Sequence, residues 1–419
     1  MLNSRFLVSC LIVCITFFVS GCSADQSNSE TKTLTLWYWN RSLDDDLIKA
    51  VEKEFPGIRI QAQKIGGDFK SKLKTTLAAG SGGPDIVAFN DWVAELFTSS
   101  DRFYDLYELG AKEIEQDYLD WKWSLGVTPE GKMIAMPIDT GPTALFYRAD
   151  LFEEAGLPND PEEVHRQLAT WDDYLNAGKK LNEAFGGKIK LTDNINNVYN
   201  QVNSQSKHIY FSEEDAFIGE DPSSSMKTAW DTAVNASQMG LLANASSFSS
   251  EWNAAMNNGR IASFVGAVWA KEILMQAAPD TSGKWRVARA PGGDGNNGGS
   301  FLAIMKTSPY PEESFKVLQW LLNPDNQAKS YESMNLFPSA ASALDSPAML
   351  LKDPFLGDQA TGEIFTESAL NVQSAYFGGR FGNVNGIVNR ELQSVALEGK
   401  DPDKAWEDAL KRVKKELLR

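Results

Sequence analysis

Aromatic side chains stand beside short polar ones at four places in this chain: Trp37-Tyr38-Trp39-Asn40-Arg41, Asn90-Asp91-Trp92, Val268-Trp269, and Tyr376-Phe377-Gly378-Gly379-Arg380-Phe381-Gly382-Asn383. That pairing suits a ligand with an apolar face and a polar rim. A pyranose offers C–H faces that stack on Trp or Tyr, while its hydroxyls need planar or charged partners such as Asp, Asn and Arg. With 12 Trp in 419 residues, several in polar or Gly-rich surroundings, packing alone does not account for all of them. Packing does claim some: Trp37 and Trp39 alternate in a strand-like run, so one of them belongs to a core, and Trp121 and Trp123 read as surface-helix packing. Trp92 and Trp269 are the stacking candidates.

Other chemistries are poorly supplied. Gly293-Asp294-Gly295-Asn296-Asn297-Gly298 fits GxGxxG in form, but a dinucleotide site needs that motif after a strand and before a helix. Here it runs into the strand-like Phe301-Leu302-Ala303-Ile304, which predicts a β-hairpin or a close backbone approach to ligand. Its Asp and Asn do not have EF-hand spacing. The two histidines, His165 and His208, form no HExxH and have no thiolate partner, so no metal site is expected. No GxSxG elbow occurs, and among 56 Asp and Glu any two carboxylates can be nominated as an acid and base pair, so no catalytic residue is assigned.

These residues need a scaffold, and its first part is legible. Thr33–Trp39 alternates as a buried strand. Ser42 to Asp45 has capping-box spacing ahead of a helix through Leu47, Ile48 and Val51. Ile58–Gln63 is a second strand, Phe69–Ala79 a helix, and Asp85–Phe89 a third strand. The βαβαβ order implies an α/β lobe with a mostly parallel sheet. Ligands in such sheets bind beyond the carboxyl ends of the strands, where Asn40-Arg41 and Asn90-Asp91-Trp92 lie. Farther on, Met133–Pro137, Thr143–Arg148, Ile261–Val265, Trp285–Ala290 and Ser300–Met305 read as strands. Thr170-Trp171-Asp172-Asp173 caps a helix to about Phe185, Leu191–Gln205 is crowded with Asn and Gln around Tyr199, and four helices follow Asp325.

The amino terminus carries an address. Residues 6–19 are almost wholly apolar, and Val19-Ser20-Gly21-Cys22 follows as a lipobox does, so residues 1–21 are read as a lipoprotein signal peptide with Cys22 lipidated. The apolar run is shorter than the ~20 residues that a spanning helix needs. Cys10 and Cys14 leave with the signal, so no internal disulfide can form. Loss of residues 1–21, whose only charged side chain is Arg5, takes the formal charge from −16 to −17. Such acidity argues against nucleic acid as a partner. Residues 22–32 are small and polar, the composition of a flexible linker. The remainder is long enough for two domains.

Taken together, Met133–Gly156 (MIAMPIDTGPTALFYRADLFEEAG), Gly83-Pro84-Asp85-Ile86, the Asn90-Asp91-Trp92 loop, Asn258-Gly259-Arg260-Ile261-Ala262 with Gly266-Ala267-Val268-Trp269, and Arg289-Ala290-Pro291-Gly292 with Gly298-Gly299 resemble family 1 of the extracellular solute-binding proteins. These are sugar receptors of ABC importers related to maltose-binding protein. Tyr147 is kept, while Arg148 stands where that family usually has Asn or Asp. The resemblance implies a two-lobed α/β fold with the ligand in a cleft and three hinge crossings, near 142–148, 285–290 and 334–339. One lobe is then 33–145 with 291–335, and the other 146–290 with 336–419. It implies ligand contacts from Asp91, Trp92, Asp139, Trp269, Asn40, Arg41 and Tyr376, with Asn197 and Tyr199 matched by position only. Trp39, Gly299 and Arg380, adjoining these motifs, complete the candidate set. The implied function is non-enzymatic capture of a mono- or oligosaccharide by lobe closure, without cofactor, by a monomer tethered through Cys22 at the outer face of the cell membrane and serving an ABC permease. A receptor for another polar solute and a secreted glycan-cleaving enzyme are the alternatives.

Overall fold

The computed structural model describes residues 31–39 and 41–418. The signal peptide, Cys22, most of the linker and Asn40 lie outside the described residues. The first sheet is built from β1 (Lys32–Tyr38), β2 (Ile58–Lys64), β3 (Ile86–Phe89), β4 (Met136–Pro137) and β9 (Phe301–Ile304), in the order β2-β1-β3-β9-β4. β1 runs parallel to β2 and β3, and β9 is antiparallel to both of its neighbours. The mostly parallel sheet expected from the βαβαβ order is therefore present, with one reversed strand supplied from far along the chain.

Alternation sets its two faces. Leu34, Leu36, Ile86, Ala88, Leu302 and Ile304 pack on one side. Val87, Phe89, Phe301 and Ala303 pack on the other, with Trp37, Trp39 and Trp92 at its edge. The first helix, Asp45–Glu54, is capped by Asp44, whose side chain accepts from Asp46 N. Ser42 is not its cap, because its hydroxyl is turned back to the carbonyl of Trp39 at 2.7 Å.

The second sheet is antiparallel and three-stranded: β7 (Ser263–Ala267), β6 (Thr143–Arg148) and β8 (Trp285–Arg289), with β6 in the middle. Leu145 and Tyr147 face one core and Ala144 and Phe146 the other. Helices cover both sides, among them Trp171–Phe185, whose Thr170 and Asp173 form the expected capping box. Trp121 and Trp123 are not surface residues. Trp123 sits in the first lobe's core, while Trp121 packs with the second and donates to Ala369 O at 2.8 Å.

β8 and β9 belong to different sheets, so the loop between them is not the turn of a hairpin; it carries the chain from one lobe to the other. A short pair, β5 (Asp139–Thr140) with β10 (Phe337–Pro338), lies beside this passage. The third passage is gradual. Tyr331, Phe337 and Leu344 pack with Phe264 of the second lobe, whereas Ala340 and Ala343 between them still pack with Leu34 and Ile86 of the first.

Candidate functional site

Two passages between the lobes run side by side and make the floor of the site. Thr143 N donates to Gly295 O at 2.9 Å, Asn297 N to Gly141 O at 2.8 Å, and Gly141 N to Asn296 Oδ1 at 2.8 Å. Such close backbones leave no room for side chains. A Cβ on Gly299, at φ +87°, would lie 2.6 Å from both Asp139 O and Lys122 Nζ. Gly299 therefore serves close approach; it has no side chain to offer a ligand.

The wall on the second lobe is rich in amides. Helix Ile195–Ser204 begins at Asn194, whose side chain caps Asn197 N at 2.9 Å, and it presents Asn197, Asn200 and Gln201 to a cavity of about 300 Å³. Trp269 closes one side of that cavity. Its Nε1 donates to Asn297 O at 2.9 Å, and its ring lies 5.6 Å from that of Phe248, which sits at φ +66°. Behind the amides Asp193 acts as a hub. Its Oδ1 accepts from Asn194 N at 2.8 Å and Asn197 Nδ2 at 3.0 Å, and its Oδ2 from Ser247 Oγ at 2.8 Å and Trp252 Nε1 at 3.1 Å. Burial still raises its carboxyl above the usual range, with those donors opposing the shift. The carboxylate is thus spent on holding the wall, and so is much of Asn197, whose Oδ1 accepts from Gln201 Nε2 at 3.1 Å. Gln201 is 2 % exposed, and its Oε1 has no hydrogen-bond partner among the described residues.

The first lobe contributes Trp92, whose ring is 5.4 Å from Phe89 with the Lys70 ammonium 5.2 Å from its centre, and Trp39, packed at the edge of the same cluster. Arg41 is partly engaged elsewhere, bonding Met334 O and lying 3.9 Å from Glu272 of the second lobe. Asp91 precedes Trp92, and burial raises its carboxyl while Lys122 and Lys70 pull it back. Asp139 accepts from Ser300 N at 2.6 Å; burial pushes it up to about 6 against the pull of Lys122. Lys122 itself, from the short helix Asp120–Ser124, is fully buried and held down to about 8 by burial.

The structure therefore brings Asn197 and Trp269 to one pocket, Asp91 and Asp139 around one buried lysine, and Trp39 and Trp92 to one cluster. The remaining candidates lie elsewhere. Tyr376 donates to Asp215 Oδ1 at 2.7 Å and lines a separate, more apolar cavity of about 550 Å³ with Phe97, Leu125 and Phe377. Arg380 is exposed and donates to Glu416 O at 2.9 Å, at the end of helix Pro402–Leu417, so its guanidinium is spent on a helix terminus. Tyr199 is fully buried against Tyr210. Sequence reading passed over Asp193, Ser247, Phe248, Gln201 and Lys122. Of these, only Gln201 carried a signal, as part of the Asn- and Gln-rich segment.

A family described as bacterial extracellular solute-binding protein matches residues 46–354. The chain belongs to this family. It is therefore an extracytoplasmic solute-binding protein by descent. It is 24 % identical over 392 residues to a lactose-binding protein of Rhizobium radiobacter, with 90 % of each chain covered. It is 24 % identical over 437 residues to an arabinooligosaccharide-binding protein of Bacillus subtilis, with 98 % of each covered. Among solved structures, a family 1 extracellular solute-binding protein superposes with a TM-score of 0.88 at 30 % identity, covering 92 % of this chain and 99 % of the other. The Bifidobacterium longum galacto-N-biose/lacto-N-biose I-binding protein, in complex with lacto-N-biose, superposes at 0.78 with 22 % identity over 93 % and 97 %, and shares the two-lobed fold.

Proposed function

We propose that this chain captures a neutral sugar, a disaccharide or short oligosaccharide, between its lobes and hands it to an ABC permease without chemically altering it. The observation that carries this reading is the second-lobe pocket. Its volume of about 300 Å³ is at the small end for ligand sites, one wall is the Trp269 ring, and the polar groups lining it are amides, hydroxyls and the hydrogen-bonded Asp193 carboxylate. Among the described residues no Lys or Arg lines it, which disfavours a phosphate-bearing solute such as the glycerol phosphate named for one relative, the Salmonella sn-glycerol-3-phosphate-binding protein. The names of the lactose- and arabinooligosaccharide-binding relatives support a sugar. Asn197, Trp269, Asp91, Trp92 and Asp139 are the contacts in this reading, with Trp39 and Arg41 bordering them and Tyr376 reached only by a longer ligand.

Closure follows from a ligand that contacts both walls, since it stabilises the closed state by its differential contacts. In the same reading Cys22 is acylated after removal of residues 1–21, and the linker lets the monomeric receptor reach its permease from the outer face of the membrane. A thermal-shift screen against mono- and oligosaccharides tests the reading. A raised Tm without released product supports it; released product would replace it with a glycan-cleaving enzyme, and no response to any sugar would discard it.

A further inference from the structure

Phe248 stands in a backbone conformation that its residue type disfavours. Its φ is +66°. Among the described residues the other non-glycine positions at positive φ are Asp215, Asn244, Asn335 and Asp358, short polar residues that tolerate the left-handed region. Phe248 is the third residue of a turn closed by Ser249 N, which donates to Ser246 O at 3.1 Å; Gly or Asn fills that place with least strain. Both flanks are pinned. The Ser247 hydroxyl donates to Asp193 Oδ2 at 2.8 Å and accepts from Asn194 Nδ2 at 2.9 Å, and Ser249 caps helix Ser250–Asn257 by accepting from Trp252 N at 3.2 Å. A strained residue persists only where its surroundings over-determine it.

The strain does not serve to bury the ring. Phe248 remains 42 % exposed, and it lines the amide pocket. Its ring is seated edge-on against Trp252 at 5.2 Å and stands beside Trp269 at 5.6 Å, with 58° between the planes. Trp252 is fully buried and so makes a fixed support. Two rings at 58° cannot sandwich one flat ligand. They form a corner, in which one ring meets a face of the ligand and the other an edge.

We infer that Phe248 is a specificity-determining contact of the pocket: an aromatic ring held in a strained turn so that its exposed part meets the C–H edge of the sugar unit that stacks on Trp269. The inference rests on the sugar reading above and deepens it, because the corner asks the ligand for an apolar edge as well as an apolar face.

The test is urea titration, with calorimetric titration by lactose and by arabinobiose, on the wild type and on F248N, F248Y and F248L. In F248N the turn relaxes while the ring is lost, so the urea midpoint is expected at or above that of the wild type and the affinity about tenfold lower, the scale of one aromatic contact. F248Y keeps the ring and is expected to keep the affinity. A ring that only covers Trp252 gives F248N the opposite pair, a lowered midpoint with unchanged affinity, and unchanged affinity in F248N overturns the inference whatever its midpoint. Should midpoint and affinity both fall, F248L decides, since it keeps an apolar cover over Trp252: a restored midpoint with affinity still low supports the contact, and restoration of both overturns it. Should neither sugar bind the wild type, the sugar reading fails by itself. The midpoints then judge the strained ring separately: F248N at or above wild type marks a ring that folding does not need, as the inference requires, and F248N below wild type overturns it.

Discussion

Replacing Asp193 separates the wall of the pocket from the fold that carries it. In Asp193→Ala the four closest donors lose their acceptor at once, Asn194 N, Asn197 Nδ2, Ser247 Oγ and Trp252 Nε1, besides the longer contact from the Thr192 hydroxyl. Two of them can find substitutes, since the Ser247 hydroxyl can rotate and Asn197 Nδ2 also contacts Val265 O at 3.2 Å. The Trp252 N–H and the Asn194 amide are stranded, each at about 1–3 kcal/mol. Against this stands relief from burying a charge, the largest influence on this carboxyl. The balance is a loss of about 3 kcal/mol, which for a lobe of about 200 residues lowers Tm by roughly 6–12 °C. Asp193→Asn enjoys the same relief and strands only one N–H, most cheaply that of Trp252, so its stability stays within about 2 kcal/mol of wild type. Urea titration gives both numbers, and calorimetry below the unfolding range gives affinity. Asp193→Ala should bind sugar at least tenfold more weakly because Asn197 and Ser247 are no longer aimed, whereas Asp193→Asn should lose only a few-fold. Equal affinity of Asp193→Ala and wild type would refute the view that this carboxylate organises the site.

Three further outcomes are expected. Trp269→Ala and Trp92→Ala should each weaken sugar binding by about 1–3 kcal/mol through loss of a stacking face, and unchanged calorimetric affinity in both would displace the cleft assignment. Gly299→Ala should destabilise by about 1–3 kcal/mol from its positive φ alone and should also lose binding, because a Cβ there meets the backbone oxygen of Asp139; urea titration and calorimetry read the two effects. Cys22→Ala should free the protein from the membrane fraction while leaving its affinity intact, read by fractionation and titration.

The parallel β1-β2-β3 unit and the Thr170 capping box were legible because their causes are local: alternation, cap chemistry and short connections. The passage from β8 to β9 was not, since a strand, a glycine-rich loop and a strand look alike whether the strands pair with each other or with sheets in different lobes. Lys122 was hidden for a similar reason. Trp121-Lys122-Trp123 on a five-residue helix looks like a solvated turn until two lobes bury it from opposite sides. Asp193 was one acid among many, and its partners at 247 and 252 are brought to it only by tertiary folding. Arg380 was picked out by neighbours that suit a ligand, while its own side chain reaches a helix end.

The amide pocket has a kinetic consequence. Among the described residues, every side chain lining it belongs to the second lobe or to Asn297 of the returning passage, so this part of the wall does not wait for the first lobe. If the proposed site is right, sugar docks on one lobe first, and closure of the other governs how long it stays. Substitutions at Asn197 or Trp269 should slow the bimolecular association seen in stopped-flow fluorescence, whereas those at Trp92 should leave it unchanged and shorten the residence time. The order of capture is set by which lobe holds the finished half of the site.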